Sequence, residues 1–195
     1  MSESVLNKIR GFLFSPSLSF RRAKDEEAGD TITYLIILAV FYSLMGTLLT
    51  VLEISIHPFA VLSSFHPGPA EALLIVSLIV VILVFTLIMA VVFGLFLHIF
   101  VYLVGGRKGV WQTEKAVFYS LTPAFVLGWI SLIGIILGGI WSIVLGVIGI
   151  RELQGVSDTK AAIAMIVAIV IAASIAVVIL GTMLFAVVSS IRMTA

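Results

Sequence analysis

No cysteine occurs anywhere in the 195 residues, which excludes disulfides, thiolate metal sites and cysteine nucleophiles. Charge is scarce as well: Asp, Glu, Lys and Arg make up 11% of the chain, against about a quarter in an ordinary soluble domain. The scarcity is uneven. Thr31–Leu52, Ala72–Gly106, Ala116–Ile150 and Ala161–Ile191 contain no Asp, Glu, Lys or Arg at all. With 11 basic and 10 acidic residues the net charge is only +1, so nothing favours a nucleic acid partner. There is no Ser/His/Asp set, no acidic pair and no cofactor fingerprint. Neither an enzyme nor a cofactor is expected.

What is present is apolar: 62% of residues are hydrophobic and the mean hydropathy is +1.29. A soluble core has no reason to stay uncharged for thirty residues. A bilayer demands it, because a charge at its centre costs roughly 2.5–3.5 kcal/mol even on lenient insertion scales. A spanning helix needs ~20 apolar residues, and all four stretches meet that. The expected class is an all-α integral membrane protein. The first stretch starts only at Thr31, too far in for the apolar core of a cleaved signal. Residues 1–30 read as a leader and 31–191 as a membrane domain.

The number of crossings follows from length and basic residues. Ala72–Gly106 and Ala116–Ile150 would each make a helix of about 52 Å, at ~1.5 Å per residue, so each is one long crossing or two short ones. Lys and Arg accumulate on the cytoplasmic side. If the second stretch crosses once and the third twice, Lys8, Arg10, Arg21, Arg22, Lys24, Arg107, Lys108, Lys115, Arg151 and Lys160 share one side, and only Arg192 falls on the other. That predicts five spans, near 31–52, 72–104, 116–133, 138–151 and 161–190. The N-terminus is then cytoplasmic and the C-terminus outside. The third stretch becomes a helical hairpin, with Gly134, Gly138 and Gly139 at its outer apex. In the leader, Val5, Leu6, Ile9, Phe12 and Leu13 recur at helical spacing, the pattern of an amphipathic helix in the headgroup plane. Ser15 or Ser17 is positioned to cap a second short helix running toward Glu27.

Small residues recur four apart along Gly134, Gly138, Ser142 and Gly146 and along Ala164, Ala168, Ala172 and Ala176. Such stripes let helices approach in lipid, within one chain or across a homodimer. Thr122–Pro123 falls inside the third stretch, where proline removes a backbone hydrogen bond and kinks a helix. A neighbouring Ser or Thr can then satisfy the freed carbonyl. His98 is the only intramembrane ionisable group expected. It serves either a proton or ligand path or an interfacial hydrogen bond. His57 and His66, beside Glu53 and Glu71, are weak metal candidates: their spacing fits no compact metal pattern, and each His–Pro pair reads as a turn. The inner loop from Gly105 to Lys115 is the most suggestive segment, with Gly105, Gly106, Arg107, Lys108, Gly109 and Trp111 as its candidate contact residues. It is either a partner- or phosphate-facing loop or a plain helix stop with topology-fixing cations and an interfacial tryptophan. It is not a P-loop, since no Ser or Thr follows the lysine.

Taken in order, Gly105-Gly106-x-x-Gly109 with its following aromatic, Tyr119-Ser120-x-x-Pro123, Trp141, and Gly146-x-x-Gly149 resemble the Yip family of polytopic membrane proteins. Phe14-Ser15-Pro16 with Phe20 is similar to the entry of prokaryotic members. The resemblance implies five spans and a non-enzymatic protein that binds protein partners or organises membranes. Eukaryotic members, which interact with Rab GTPases, carry a longer hydrophilic leader and often an Asp-Leu-Tyr-Gly-Pro motif, both missing here. The resemblance therefore implies a prokaryotic plasma-membrane member and transfers no catalytic or ligand residue. The expected function is a scaffold contacting membrane lipids and a cytoplasmic protein partner. The alternative is a small transporter or channel built on Pro123, Ser120, Thr122 and His98.

Overall fold

A computed structural model describes residues 4–51, 69–130 and 132–194. The described residues form only helices and their connections. The leader gives α1 (Val5–Phe14) and α2 (Pro16–Ala23); α3 (Ala28–Val51) and α4 (Pro69–Leu103) follow. The third uncharged stretch gives α5 (Val110–Ser120), α6 (Thr122–Leu127) and α7 (Leu132–Gln154), and α8 (Asp158–Thr194) closes the chain. Among the described residues, four helical segments are long and apolar enough to cross a membrane: Ala28–Leu49, Ile75–Leu103, Leu132–Gln154 and Asp158–Ala186. α4 is unbroken over 35 residues, so the second stretch is one helix rather than two.

Each uncharged run becomes helical because a backbone without water must satisfy its own N–H and C=O groups. The outward faces stay apolar: Leu73, Phe85 and Leu103 on α4 and Val177, Leu180 and Phe185 on α8 are all exposed. In water such a surface invites association; in lipid it faces its own solvent. The packed interior lies toward one end, where Phe12, Phe20, Tyr34, Leu97, Tyr119, Leu145, Ile150 and Ala164 are buried together.

That end gathers three connections that are distant in sequence. Arg21 of α2 pairs with Glu152 of α7 at 2.9 Å, and Lys115 of α5 reaches carbonyls at the end of α2. Lys108 donates its backbone N–H to Gln154 at the end of α7. The leader, the α4–α5 turn and the α7–α8 turn therefore meet at one pole. α5 and α6 run away from it and α7 returns antiparallel, with Gly149 against Ala116 and Gly138 against Pro123.

Three local expectations need correction. The reversal between the hairpin arms falls at Gly128–Ile130, where Gly128 N–H bonds to the Ala124 carbonyl at 2.8 Å. Gly134, Gly138 and Gly139 instead lie inside α7. A Cβ at Gly138 would stand 2.8 Å from the Pro123 carbonyl oxygen, so this glycine is a point of close helix approach rather than a turn. In the leader, Ser15 precedes α2 without a side-chain cap bond, and α2 stops at Ala23. Last, the apolar stripe of α1 is divided: Phe12 is buried in the bundle, while Leu6 is exposed. The stripe packs on protein as well as facing outward.

Candidate functional site

The glycine-rich turn is built as a helix stop. Gly105 and Gly109 adopt φ of +105° and +89°, a region that favours glycine. Gly106 N–H bonds to the Val101 carbonyl at 2.8 Å and Gly105 N–H to the Tyr102 carbonyl at 3.1 Å, the paired closure of a Schellman motif. Arg107 folds back, its guanidinium 3.7 Å from the centre of the Tyr102 ring. It donates to the Tyr102 and Gly106 carbonyls. Gln154 then locks the turn to α7: it accepts from Lys108 N–H at 3.0 Å and donates to the Gly109 carbonyl at 2.8 Å and to Thr113 Oγ1 at 3.0 Å. His98 reaches the same Thr113 hydroxyl through Nδ1 at 2.8 Å. Trp111 is half-buried and lies edge-on to Phe118. Lys108 stays exposed, as does Lys160 beside Gly105.

A second polar cluster joins the leader to the bundle. Lys8 pairs with Glu26 at 2.9 Å. Tyr119 donates its hydroxyl to Glu26 and approaches Thr31 Oγ1 at 3.2 Å, while its ring stacks on Phe12 at 4.4 Å. Tyr34 and Thr122 share a hydrogen bond of 3.0 Å. Thr122 also donates to the Tyr119 carbonyl at 2.7 Å, the carbonyl that Pro123 leaves without its helical donor. Ser120 bonds back to the Val117 carbonyl. Lys115 is almost fully buried, and its ammonium donates to the carbonyls of Ala23, Lys24 and Glu26. Burial holds that ammonium below the ordinary lysine value.

The first small-residue stripe and the start of the second pack within the chain, while Ala176 is exposed. Ser142 Oγ accepts from Ala124 N–H at 3.2 Å. A Cβ at Gly146 would strike the Met165 methyl of α8. Ala164 and Ala168 are buried and Ala172 is half-buried. Tyr119 meets the leader, Thr122 meets Tyr34 of α3, and Ser120 and Pro123 lie against Gly146 and Gly138 of α7, whereas His98 joins the glycine-rich turn. His57 and His66 lie outside the described residues, and among those described no three His, Cys, Asp or Glu gather as a metal site.

Sequence reasoning gave no partner to Lys8, Glu26, Glu114, Lys115 or Gln154: it used Lys8 and Lys115 only as topology-setting cations and Glu114 only as part of the inner-loop segment. Each is a charged or polar residue in a hydrophilic connection, which reads as solvated until partners are known. Glu114 is the outlier among them. Both its carboxylate oxygens are buried with no hydrogen-bond partner, and burial raises the carboxyl to about 7.

The arrangement holds elements together: its polar side chains join the leader, the glycine-rich turn and α7. No curated protein and no solved structure matches the chain. The Yip1 domain family model matches residues 10–181, which takes in α2 to α7 and much of α8. The chain belongs to the Yip1 domain family.

Proposed function

We propose that this Yip1 domain protein is a non-enzymatic scaffold of a prokaryotic plasma membrane, crossing it five times and docking a cytoplasmic protein on its inner pole. The crossings are α3, α4, the arm from Ala116 to Leu127, α7 and α8, with the first turn of α5 on the inner side. The arm is short for a ~30 Å hydrocarbon core, and its packing between α3, α4 and α7 supplies the shelter a short segment needs. The meeting of the basic connections at one pole supports a cytoplasmic N-terminus. Exposed Leu6, Phe14 and Leu18 beside exposed Arg10 and Arg22 favour an inner-leaflet position for α1 and α2.

One observation carries the docking role. Lys8, Glu26, Arg21, Glu152, Arg151 and Lys115 are bound into the fold and Arg107 is held over Tyr102, which leaves an ordered surface bearing exposed Lys108 and Lys160 beside it. Ordered, rigid surfaces bind with less entropy loss, and exposed cations steer acidic partners. The transporter alternative gains no comparable support: Thr122 and His98 are engaged by Tyr34 and Thr113, and Gly138 packs against Pro123.

A photo-crosslinker replacing exposed Lys108 in native membranes tests the docking. Discrete protein adducts that weaken with Lys160→Gln are expected. Lipid adducts alone would sink the adaptor role. Cysteines introduced at Ser64 and Ser157, in a chain with none of its own, should label from opposite sides; same-side labelling removes the five-crossing topology.

A further inference from the structure

Glu114 sits between two residues that are fully engaged. Thr113 binds His98 and Gln154, and Lys115 closes the end of α2. Glu114 meets α4 instead. Its side chain is only 5% exposed, and neither carboxylate oxygen has a hydrogen-bond partner. The opposing residue is Gly94, where an added Cβ would fall 2.2 Å from Oε2 and 2.6 Å from Cδ. Glycine inside a helix is less stable than alanine, because its backbone loses more freedom on folding. Here its missing side chain is the notch that admits the carboxyl group.

A carboxylate in such a place has lost its water and gained no donor, which is among the costliest arrangements a fold can hold. A carboxylic acid there loses far less. The titratable groups on the elements packed around α5 offer no relief. His98 on α4, one turn from Gly94, is bound to Thr113, and Tyr102 carries Arg107 on its ring. On α3 stand Asp30, Tyr34 and Tyr42; on α7, Arg151 and Glu152 pair with each other and with Asp158 and Arg21. α6 carries none. From the leader, Lys8 and Glu26 pair with each other, and Gln112 reaches the Lys24 carbonyl beside Asp25. None forms a hydrogen bond or ion pair with the Glu114 carboxyl.

We propose that Glu114 is a proton-binding site at the inner pole of the bundle: the neutral acid seats in the Gly94 notch, and ionisation parts α5 from α4. On ionisation the proton passes to cytoplasmic water and the negative charge stays on the carboxylate. Water must then enter the α4–α5 seam to solvate it. The seam thereby reports the pH of the inner side, a property separate from the docking role.

The full chain in lipid nanodiscs supports two simultaneous readings. Infrared spectroscopy follows the C=O stretch of a protonated carboxyl from about pH 5 to 9, a range clear of ordinary carboxylates. Because the chain has no cysteine, spin labels at Ile99→Cys and Val110→Cys, both exposed positions, measure the α4–α5 separation. A band that disappears with a midpoint of about 7 and is missing in Glu114→Gln is expected. The label distance should lengthen over the same range in the native chain and stay short in Glu114→Gln. Glutamine keeps the size without the charge, and the native titration needs no variant at all. A missing band, or one that persists in Glu114→Gln, overturns the site. A midpoint near 4, the ordinary carboxylate range, does so too. Titration at constant label distance overturns the coupling to the seam.

Discussion

At the scale of single residues, close approach and hydrogen-bond completion decide what each position tolerates. Gly94 has no turn to make; it is helical, and it is small because Glu114 occupies its side-chain space. Gly94→Ala should cost about 1–3 kcal/mol, the usual penalty for overfilling a packed site. In a Glu114→Ala background most of that cost should vanish, since the obstructing carboxyl is gone. Equilibrium unfolding of the four chains in mixed micelles gives the cycle. Equal costs in both backgrounds would separate Gly94 from Glu114. Thr122 and Pro123 show the same dependence: proline removes the donor for the Tyr119 carbonyl, and the adjacent hydroxyl restores it. That the freed carbonyl would turn to a nearby Ser or Thr is a local rule, so it was legible in the sequence.

Among elements, the leader is the surprise. Its α1 carries the spacing of a headgroup-plane helix, yet Phe12, with Phe20 of α2, is buried in the bundle. Phe12 stacks on Tyr119 at 4.4 Å and meets Phe20 edge-on at 5.0 Å. The apolar pattern shows that one face is buried and leaves open whether lipid or protein buries it. Phe12→Ala should weaken leader docking by about 3–5 kcal/mol, as for other large-to-small core changes. Limited proteolysis would then cut near Lys24 while the long helices survive. Unchanged resistance would mean the leader is held by its polar contacts alone. Lys115 illustrates the opposite case. In sequence it is one of the basic residues that set topology; in the fold its ammonium donates to carbonyls at and just beyond the end of α2, where a helix terminus runs short of backbone donors.

For the whole molecule, stability should depend on pH through Glu114. Its folded value of about 7 lies above the ordinary 4.5, so the folded chain keeps a proton that the unfolded chain releases between those values. The stabilisation is therefore complete below about 4.5 and is lost as pH rises through about 7. The full effect is on the order of 3 kcal/mol, at 1.36 kcal/mol for each pH unit between the two values. Unfolding free energies at about pH 5 and 8 should differ in the native chain and agree in Glu114→Gln. A Glu114→Gln chain with the native pH dependence would assign it to another group.

The sequence alone determined the class of molecule, the family and the main helices. Uncharged runs of this length have one stable solution in a bilayer, and charge-free length is a property of the chain rather than of its partners. It also located the helix stop at Gly105–Gly109, because positive φ and Schellman closure depend on neighbours only a few residues away. Tertiary structure decided the rest. The hairpin reversed at Gly128–Ile130 rather than at the later glycines, because a glycine serves a turn or a close helix contact equally well and only the opposing helix selects between them. Likewise Glu114 and Lys115 are adjacent polar residues in one short connection. One meets a glycine notch and finds no donor, the other meets three carbonyls, and that difference exists only once α2, α4 and α5 are brought together.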